Sequence, residues 1–256
     1  MHIGVQTFTI RKTQKNGIRQ AYLPLIELGI KSFEVARIDF TKENAEQLKE
    51  LIDEYGIEIS AIQVKPKYVF DNVLGIAEFC KITGCKRVVI SMLPWNCVLG
   101  KEENFYRFLL TLDRQYEEYE SLGITLAYHH HNWEYVRLSN GKTRMQELID
   151  KTDKIRFVHD TFWTAKSGIS PTEQIREFGE RLIGIHLRDL VHYKHFIDVR
   201  VKNCALGDGS VDFGKVLAAA DKSGCEYLVI EQKTDAPYED IRKSYKHISQ
   251  VQASKE

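Results

Sequence analysis

The chain has 256 residues, of which 43% are hydrophobic and 28% are charged, a composition typical of an ordinary globular protein. Lysine plus arginine equals aspartate plus glutamate at 36 each, so no basic surplus points to a nucleic-acid partner. No apolar run approaches the roughly 20 residues of a membrane span, and the opening MHIGVQTFTIRK is not the pattern of a signal peptide.

Short apolar runs rich in β-branched residues alternate with longer amphipathic stretches, which predicts strands that alternate with helices. The predicted strands are, in chain order, HIGVQTF, KSFEVA, IEISAIQV, CKRVVISM, ITLAYHH, IRFVHD, LIGIHLRD and EYLVIEQ. The predicted helices are GIRQAYLPLIELG, TKENAEQLKELIDEYG, FDNVLGIAEFCKITG, KEENFYRFLLTLDRQYEEYESLG, TRMQELIDKT, SPTEQIREFGE, SVDFGKVLAAADKSG and YEDIRKSYKHISQV. Thr41, Ser170 and Ser210 are the expected N-caps of three of these helices.

The predicted strands are apolar on both faces, which is typical of a buried parallel sheet. Eight strand–helix units in about 250 residues indicate the α/β class and a single (β/α)8 TIM barrel. A doubly wound open sheet is the alternative. No linker rich in Gly, Pro or Ser divides the chain, so one domain is expected over residues 1–256.

Polar and ionisable residues stand at the ends of the predicted strands. Active sites of TIM barrels lie at the carboxyl ends of the strands. A carboxylate at an apolar strand end is costly unless it is paired or bound to a metal. The residues at these ends are, strand by strand, Gln6 and Thr7, Glu34, Lys65, Ser91, His129 to His131, Asp160, His186 with Arg188 and Asp189, and Glu231.

Asp160, His186 and Glu231 come from the sixth, seventh and eighth strands and are predicted to bind one divalent metal ion. Carboxylate and imidazole ligands suit Mn²⁺, the first expectation, and also Mg²⁺, Co²⁺ or Zn²⁺. Each residue has another interpretation. Asp160 could cap the following segment, His186 could be a hydrogen-bonded core histidine, and Glu231 could pair with Lys233 or Arg188.

The fifth strand ends in three consecutive histidines. Side chains alternate along a strand, so those of His129 and His131 lie on one face and that of His130 lies on the opposite face. If the shared face is the barrel axis, one of the two histidines can bind the metal and the other can transfer protons. Glu134 could fold back as a ligand or a base, and His130 is expected to pack between strand and helix. The alternative is that these histidines only line a polar pocket.

The five cysteines are odd in number and form no CxxC pair. Such a set predicts reduced, mostly buried thiols in a cytoplasmic protein and argues against a zinc site built from cysteine. The residues are Cys80, Cys85, Cys97, Cys204 and Cys225.

Six segments together resemble the sugar phosphate isomerase/epimerase family, the xylose-isomerase-like barrels that also include the endonuclease IV group. They are GVQTFTIR, LAYHHHNWEY, HDTFW, GIHLRD, LGDGSVDFGKVLAAADKSG and YLVIEQ, and they span almost the whole chain in order. The resemblance implies a divalent metal held by Glu, Asp, His and Glu from strands five to eight, and a tendency to form homo-oligomers.

The implied ligands fall on Asp160, His186 and Glu231, but His129 stands where the family has its first glutamate. The chain therefore resembles a subgroup with Tyr-His-x-His-x-x-Glu at strand five. In the epimerases that glutamate doubles as an acid/base. Here this role must pass to His129, His131 or Glu134, or the reaction differs.

The chemistry that fits is proton abstraction next to a carbonyl, through an enediolate, by a metal-dependent sugar isomerase or epimerase. A lyase or dehydratase acting on a keto-sugar or keto-glycoside is the alternative, and the histidine at position 129 favours it. The expected proton-transfer groups are His131, Glu134 and Glu231. Groups expected to contact the sugar are Gln6, Glu34, Lys65, Trp163 and Arg188.

Two other classes of function are weaker alternatives. An endonuclease would need a basic surface for DNA, and this chain is neutral. A non-catalytic sugar-binding protein would bind sugar without metal. The segment LGDGS is interpreted as a turn before a helix capped by Ser210, or as an anion site at that helix. No Gly-rich phosphate loop is found, so a non-phosphorylated sugar is expected.

Overall fold

The computed structural model describes residues 2–195 and 198–254. Eight parallel strands form its centre. Their bounds are β1 Ile3–Gln6, β2 Ser32–Ala36, β3 Glu58–Val64, β4 Arg87–Ile90, β5 Thr125–His129, β6 Arg156–Asp160, β7 Leu182–Leu187 and β10 Tyr227–Ile230. They pair in the order β1-β10-β7-β6-β5-β4-β3-β2 and close into a barrel. The predicted (β/α)8 fold is therefore confirmed.

Helices cover the outside of this barrel. Their bounds are α1 Arg11–Gln14, α2 Ile18–Glu27, α3 Lys42–Tyr55, α4 Pro66–Asp71, α5 Val73–Thr83, α6 Trp95–Leu99, α7 Glu102–Glu120, α8 Arg144–Lys151, α9 Thr161–Lys166, α10 Pro171–Phe178, α11 Phe213–Ser223 and α12 Pro237–Ala253. Within the described ranges, no helix is both long enough and apolar enough to cross a membrane.

Two of the three predicted N-caps differ from the structure. Thr41 caps α3 as predicted, because its side chain accepts a hydrogen bond from the amide of Asn44. Ser170 occupies the N-cap position of α10, but its hydroxyl pairs with that of Thr172 instead of capping the backbone. Ser210 is not a cap, because α11 begins later and Asp212 caps it.

An antiparallel hairpin, β8 Asp189–His195 and β9 Asp198–Cys204, follows β7 at the carboxyl end of the barrel. The sequence did not predict it, because its charged strands lie outside the eightfold strand–helix pattern. The barrel interior below this end is filled by apolar side chains. They are Ala61, Val89, Ala127, Val158, Ile183, Tyr227 and Val229.

The segment LGDGS wraps around the buried carboxylate of Asp189, which follows β7 directly. Asp189 accepts hydrogen bonds from four backbone amides at 2.8–3.0 Å, those of Leu190, Gly207, Gly209 and Val211. A Cβ atom on Gly209 would lie 2.2 Å from Asp189 Oδ1, which explains the glycine. The turn interpretation of LGDGS is therefore confirmed, and the anion that its amides bind belongs to the protein itself.

Candidate metal centre

Four buried side chains meet at the carboxyl end of the barrel: His129, Asp160, His186 and Glu231. One potential ligand atom of each lies within 4.8 Å of those of the other three. The barrel register produces this proximity, because Asp160 and His186 are direct partners across β6 and β7. His129 ends β5, and Glu231 follows β10 directly.

The two histidines of this cluster each turn one ring nitrogen toward it. Nδ1 of His129 lies 3.2 Å from the carbonyl oxygen of Ser91, which can only accept, so Nδ1 carries the hydrogen. The Nε2 lone pair of His129 is then left facing Asp160 Oδ2 at 3.4 Å. This Nε2 has no hydrogen-bond partner among the residues that the structure describes. An imidazole nitrogen left free beside a carboxylate is a suitable metal ligand.

His186 is held in place by Glu34, which lies across the barrel on β2. Nε2 of His186 donates to Glu34 Oε1 at 2.8 Å, and the Tyr227 hydroxyl donates to Glu34 Oε2 at 2.8 Å. Gly184 makes room for this tyrosine, because a Cβ there would lie 2.3 Å from Tyr227 Cζ. Nδ1 of His186 is then 2.8 Å from Glu231 Oε2. Two acceptors come this close only with a proton or a metal ion between them.

The charges of this centre fit a divalent cation. The centre contains three buried carboxylates, those of Glu34, Asp160 and Glu231, and one buried guanidinium, that of Arg188. Nη1 of Arg188 lies 3.0 Å from Asp160 Oδ2 and 3.2 Å from Glu231 Oε1. A histidine must lose its proton to bind a metal, and with both histidines neutral two negative charges would remain. A divalent ion would neutralise them in place of the proton that Glu34 and Glu231 otherwise hold on His186. Carboxylate oxygens and imidazole nitrogens are also the donors that such ions prefer.

The pKa values of these groups follow from burial and pairing. Burial by itself would raise the pKa of Asp160, but Arg188 and His129 hold it well below its usual value. Burial acts likewise on Glu231, yet Arg188 and His186 lower its pKa to about 2. Burial would lower the pKa of His186, but Glu34 and Glu231 raise it to about 10. Both cluster carboxylates are therefore ionised at neutral pH.

The alternative interpretations of Asp160 and Glu231 prove compatible with a metal site. Asp160 does cap the next segment, because its Oδ1 accepts from the amide of Trp163 at 3.0 Å while Oδ2 faces the cluster. Glu231 does pair with Arg188, and Lys233 instead donates its amide to Asn203. One carboxylate has two oxygens, so both contacts are made at once.

Glu134 is placed away from the cluster. Its carboxylate accepts hydrogen bonds from the hydroxyl of Tyr128 and from the amide of His131, the latter at 2.8 Å. The side chain of Tyr128 lies on the opposite face of β5 from that of His129. Because Glu134 bonds to Tyr128, it lies behind the strand end and not in the mouth. Burial raises the pKa of Glu134. The four-residue cluster includes His129 and not Glu134, and the observed contacts give Glu134 the position of a support for His131.

His130 packs on the outer face of β5 as predicted. It is fully buried, and its Nε2 accepts from the amide of Asp160 at 3.0 Å and faces Nδ1 of His159 at 3.2 Å. Its ring also lies against Phe178 of α10. These contacts join the ends of β5 and β6, which carry two of the clustered side chains.

Two of the residues expected to contact substrate are buried and hydrogen-bonded to other residues of the protein. Glu34 was expected in the substrate pocket, but it is fully buried and both its oxygens accept hydrogen bonds behind His186. Gln6 is also fully buried, and its amide donates to Gln63 and accepts from the amide of Phe8. Both side chains are therefore engaged within the protein, and their contact with a substrate remains a prediction.

The other three expected contacts lie at the mouth. Lys65 is exposed at the N-terminus of α4. Trp163 is half-buried in α9, and the guanidinium of Arg188 lies over its ring at 5.4 Å. Trp163 also lies 5.0 Å from the ring of His131. Contact of these three with a substrate remains a prediction.

Replacing Glu34 with glutamine is expected to weaken divalent-metal binding by about 10–100-fold, the usual effect of losing the group that orients a ligand histidine. The amide keeps the shape of the side chain but offers one acceptor where the carboxylate offers two. Calorimetric titration with Mn²⁺ or Zn²⁺ measures the change. Lys65→Gln, an exposed change at another strand end, serves as the control and should leave the affinity unaltered. Equal affinity in Glu34→Gln and wild type would contradict the orienting role.

Tyr227 and Gly184 are functional neighbours that sequence reasoning did not identify. Tyr227 begins the strand YLVIEQ and was assigned only to the strand, while Gly184 was assigned to GIHLRD. A glycine within an otherwise apolar strand is a signal of close approach by another group. The group that approaches it could not be named from the chain.

A family model described as xylose isomerase-like TIM barrel matches residues 24–251. Among curated proteins, an inosose dehydratase of Geobacillus kaustophilus is 22% identical over an aligned length of 251 residues, and the alignment covers 84% of this chain and 80% of that protein. The chain is similar to this relative, at low sequence identity.

Solved structures share the fold. A sugar phosphate isomerase/epimerase from Parabacteroides distasonis superposes with a TM-score of 0.78 at 19% identity and covers 98% of this chain and 94% of its own. The IOLI protein with a bound zinc atom superposes with a TM-score of 0.73 at 16% identity and covers 99% of both chains. At these identities the likeness establishes the barrel architecture.

Proposed function

Since the chain belongs to the xylose isomerase-like TIM barrel family, we propose that it is a divalent-metal-dependent enzyme that removes a proton next to the carbonyl of a keto-sugar. The observation that carries this proposal is the buried cluster of His129, Asp160, His186 and Glu231. An isomerase or epimerase is the first expectation for its reaction class. The Tyr-His-x-His-x-x-Glu strand end defines, in our proposal, its subgroup.

His129, Asp160, His186 and Glu231 would hold a divalent ion, which would supply a Lewis acid to polarise the carbonyl and stabilise the charge of an enediolate. The chain's own groups move the protons. Glu231 is a carboxylate at neutral pH and accepts one. His131 is neutral, because burial lowers its pKa to about 3, and a neutral imidazole accepts and returns a proton. Glu134, which bonds to the amide of His131, holds that residue in position.

The fate of the returned proton decides the reaction. Return to the opposite face of the same carbon gives an epimer, and return to the neighbouring carbon gives an isomer. Arg188, held by Asp160 and Glu231, borders the cluster and supports an adjacent hydroxyl or anionic group. Trp163 offers a ring face beside His131 on which the apolar side of a sugar can stack.

A dehydratase or lyase is the second candidate. Loss of a leaving group from the carbon next to the enediolate would then precede the return of the proton. Two observations favour it. The curated relative described above is named inosose dehydratase. His129 also stands where the resemblance implies a glutamate that serves as acid/base, so proton return on that side must differ.

Deuterium exchange tests the proposal and separates its two forms. The protein is loaded with Mn²⁺ in D₂O and incubated with ketohexoses, an inosose and a 3-keto-glucoside, and the products are followed by NMR. We expect metal-dependent entry of deuterium next to the carbonyl. Exchange without release of a fragment indicates isomerase or epimerase, and release of water or an aglycone indicates dehydratase or lyase.

A chelator-treated sample is the control for this exchange. Lack of deuterium entry with any of Mn²⁺, Mg²⁺, Co²⁺ and Zn²⁺ would contradict enolisation. Tight sugar binding that survives chelation, in a protein that holds no metal, would instead establish the non-catalytic sugar-binding alternative.

We propose Mn²⁺ as the working metal and the cytoplasm as the location. Carboxylate oxygens supply half of the four ligands, which favours a harder ion than an all-nitrogen site would. All five cysteines, which lie in the described ranges, are free thiols. Free thiols are typical of a reducing compartment.

A further inference from the structure

The three tryptophans of the chain follow three consecutive strands at the carboxyl end of the barrel. Trp95 is the first residue of α6, after β4. Trp133 is the first residue of the 3-10 turn Trp133–Tyr135, after β5, and Trp163 lies in α9, after β6. Three consecutive strand ends therefore each present an indole ring at the mouth that holds the candidate metal centre.

The rings of His131, Trp133 and Trp95 form a continuous row that begins beside the metal cluster and ends in solvent. The ring of His131 lies 5.0 Å from that of His129 and 5.1 Å from that of Trp133, with an angle of 19° between the planes of His131 and Trp133. Trp133 in turn lies 5.2 Å from Trp95. The row takes three such steps away from the cluster, which is longer than one monosaccharide ring.

The outer end of the row is exposed in a way that core packing does not require. Trp95 is 58% exposed and Trp133 is half-buried, although an indole stabilises a fold chiefly through the apolar area that it buries. An exposed apolar surface beside a binding site is a common mark of ligand contact. The faces of aromatic rings stack on flat partners.

We propose that Trp133 and Trp95 form a second subsite for a ring attached to the sugar at the metal cluster, so that the substrate is a glycoside and not a free monosaccharide. This inference rests on the proposed function, because the cluster must hold the keto-sugar end of the same molecule. The outer ring stacks on indole faces, and either an aromatic aglycone or a second sugar provides such a ring.

Binding of one-ring and two-ring probes tests this subsite. The Mn²⁺-loaded protein is titrated by calorimetry with methyl β-glucoside, 4-nitrophenyl β-glucoside and cellobiose. We expect a two-ring probe to bind about tenfold more tightly than the methyl glucoside, which is the usual size of one aromatic stacking contact. Trp133→Ala and Trp95→Ala should each bring the ratio of two-ring to one-ring affinity close to one. Preference for the nitrophenyl probe identifies an aryl aglycone, and preference for cellobiose identifies a second sugar.

Leu110→Ala is the matched control, because Leu110 is an exposed apolar residue on α7, away from the row. It should keep the ratio of the wild type. Equal binding of all probes, no binding of any, or a ratio that survives both tryptophan changes would overturn the subsite. So would a dimer that dissociates in Trp95→Ala while the ratio stays unchanged. Deuterium exchange on free keto-sugars is independent of this ratio and decides the proposed function separately.

Discussion

Replacing His186 with alanine is expected to lower the affinity for a divalent metal by about a hundredfold or more and to abolish metal-dependent deuterium exchange. Four-ligand metal sites bind with roughly 10–16 kcal/mol, so one ligand contributes on the order of 3 kcal/mol. His186 is also the residue through which Glu34 and Glu231 are joined. Metal content after dialysis, calorimetric affinity and exchange rate are the measurements.

Asp160→Ala should lose metal affinity and exchange in the same way. A second ligand variant is included because His186→Ala could lose metal by misfolding alone. Circular dichroism checks that each variant keeps the barrel. His192→Ala is the matched control, because His192 is an exposed histidine of the hairpin outside the cluster. Metal retained at wild-type affinity in both folded variants would show that the four-residue cluster is not the metal centre.

Replacing Asp189 with alanine is expected to cost about 3–5 kcal/mol of the free energy of unfolding, the range found when one partner of a buried charged network is removed. Its fully buried carboxylate accepts four backbone hydrogen bonds, and without it these amides lose their partners. For a chain of this size the loss corresponds to a fall of about 10 °C in melting temperature. Thermal and urea unfolding, followed by circular dichroism, measure it.

Asp208→Ala provides the control in the same loop. Asp208 is paired with Lys243 at the protein surface, so its loss should change the stability by about 1 kcal/mol or less. Asp189→Asn should fall between the two, because an amide retains the shape but only one accepting oxygen. A stability of Asp189→Ala within 1 kcal/mol of the Asp208→Ala variant would be incompatible with the role assigned to this carboxylate.

Much of the architecture and of the candidate site could be predicted from the sequence. The alternation of short apolar runs with amphipathic stretches determines an eightfold strand–helix pattern, because helix and strand have different side-chain periods. In a parallel barrel all strands end on one side. Asp160, His186 and Glu231 stand at three successive strand ends, and the resulting closeness of their side chains is observed. The resemblance to the xylose-isomerase-like barrels is confirmed by the family model.

Glu34 shows why the rest of the site could not be predicted. Its position at a strand end is readable, but its partners, His186 and Tyr227, lie on strands seven and eight of the barrel. The order of strands along the chain predicts which strands are neighbours. It does not predict which side chains meet across the barrel interior. The sequence therefore placed Glu34 with the substrate, whereas the tertiary structure places it behind a candidate ligand.

Local backbone geometry decided the remaining positions. Glu134 turns back to Tyr128 only because a 3-10 turn follows β5, and LGDGS closes on Asp189 only because the hairpin brings the two together. The sequence by itself determined the barrel and the residues at its mouth, since both follow from periodicity and strand direction. The tertiary structure decided which of these residues face the cluster, support it or extend it as a row of rings, since those roles depend on contacts between residues far apart in the chain.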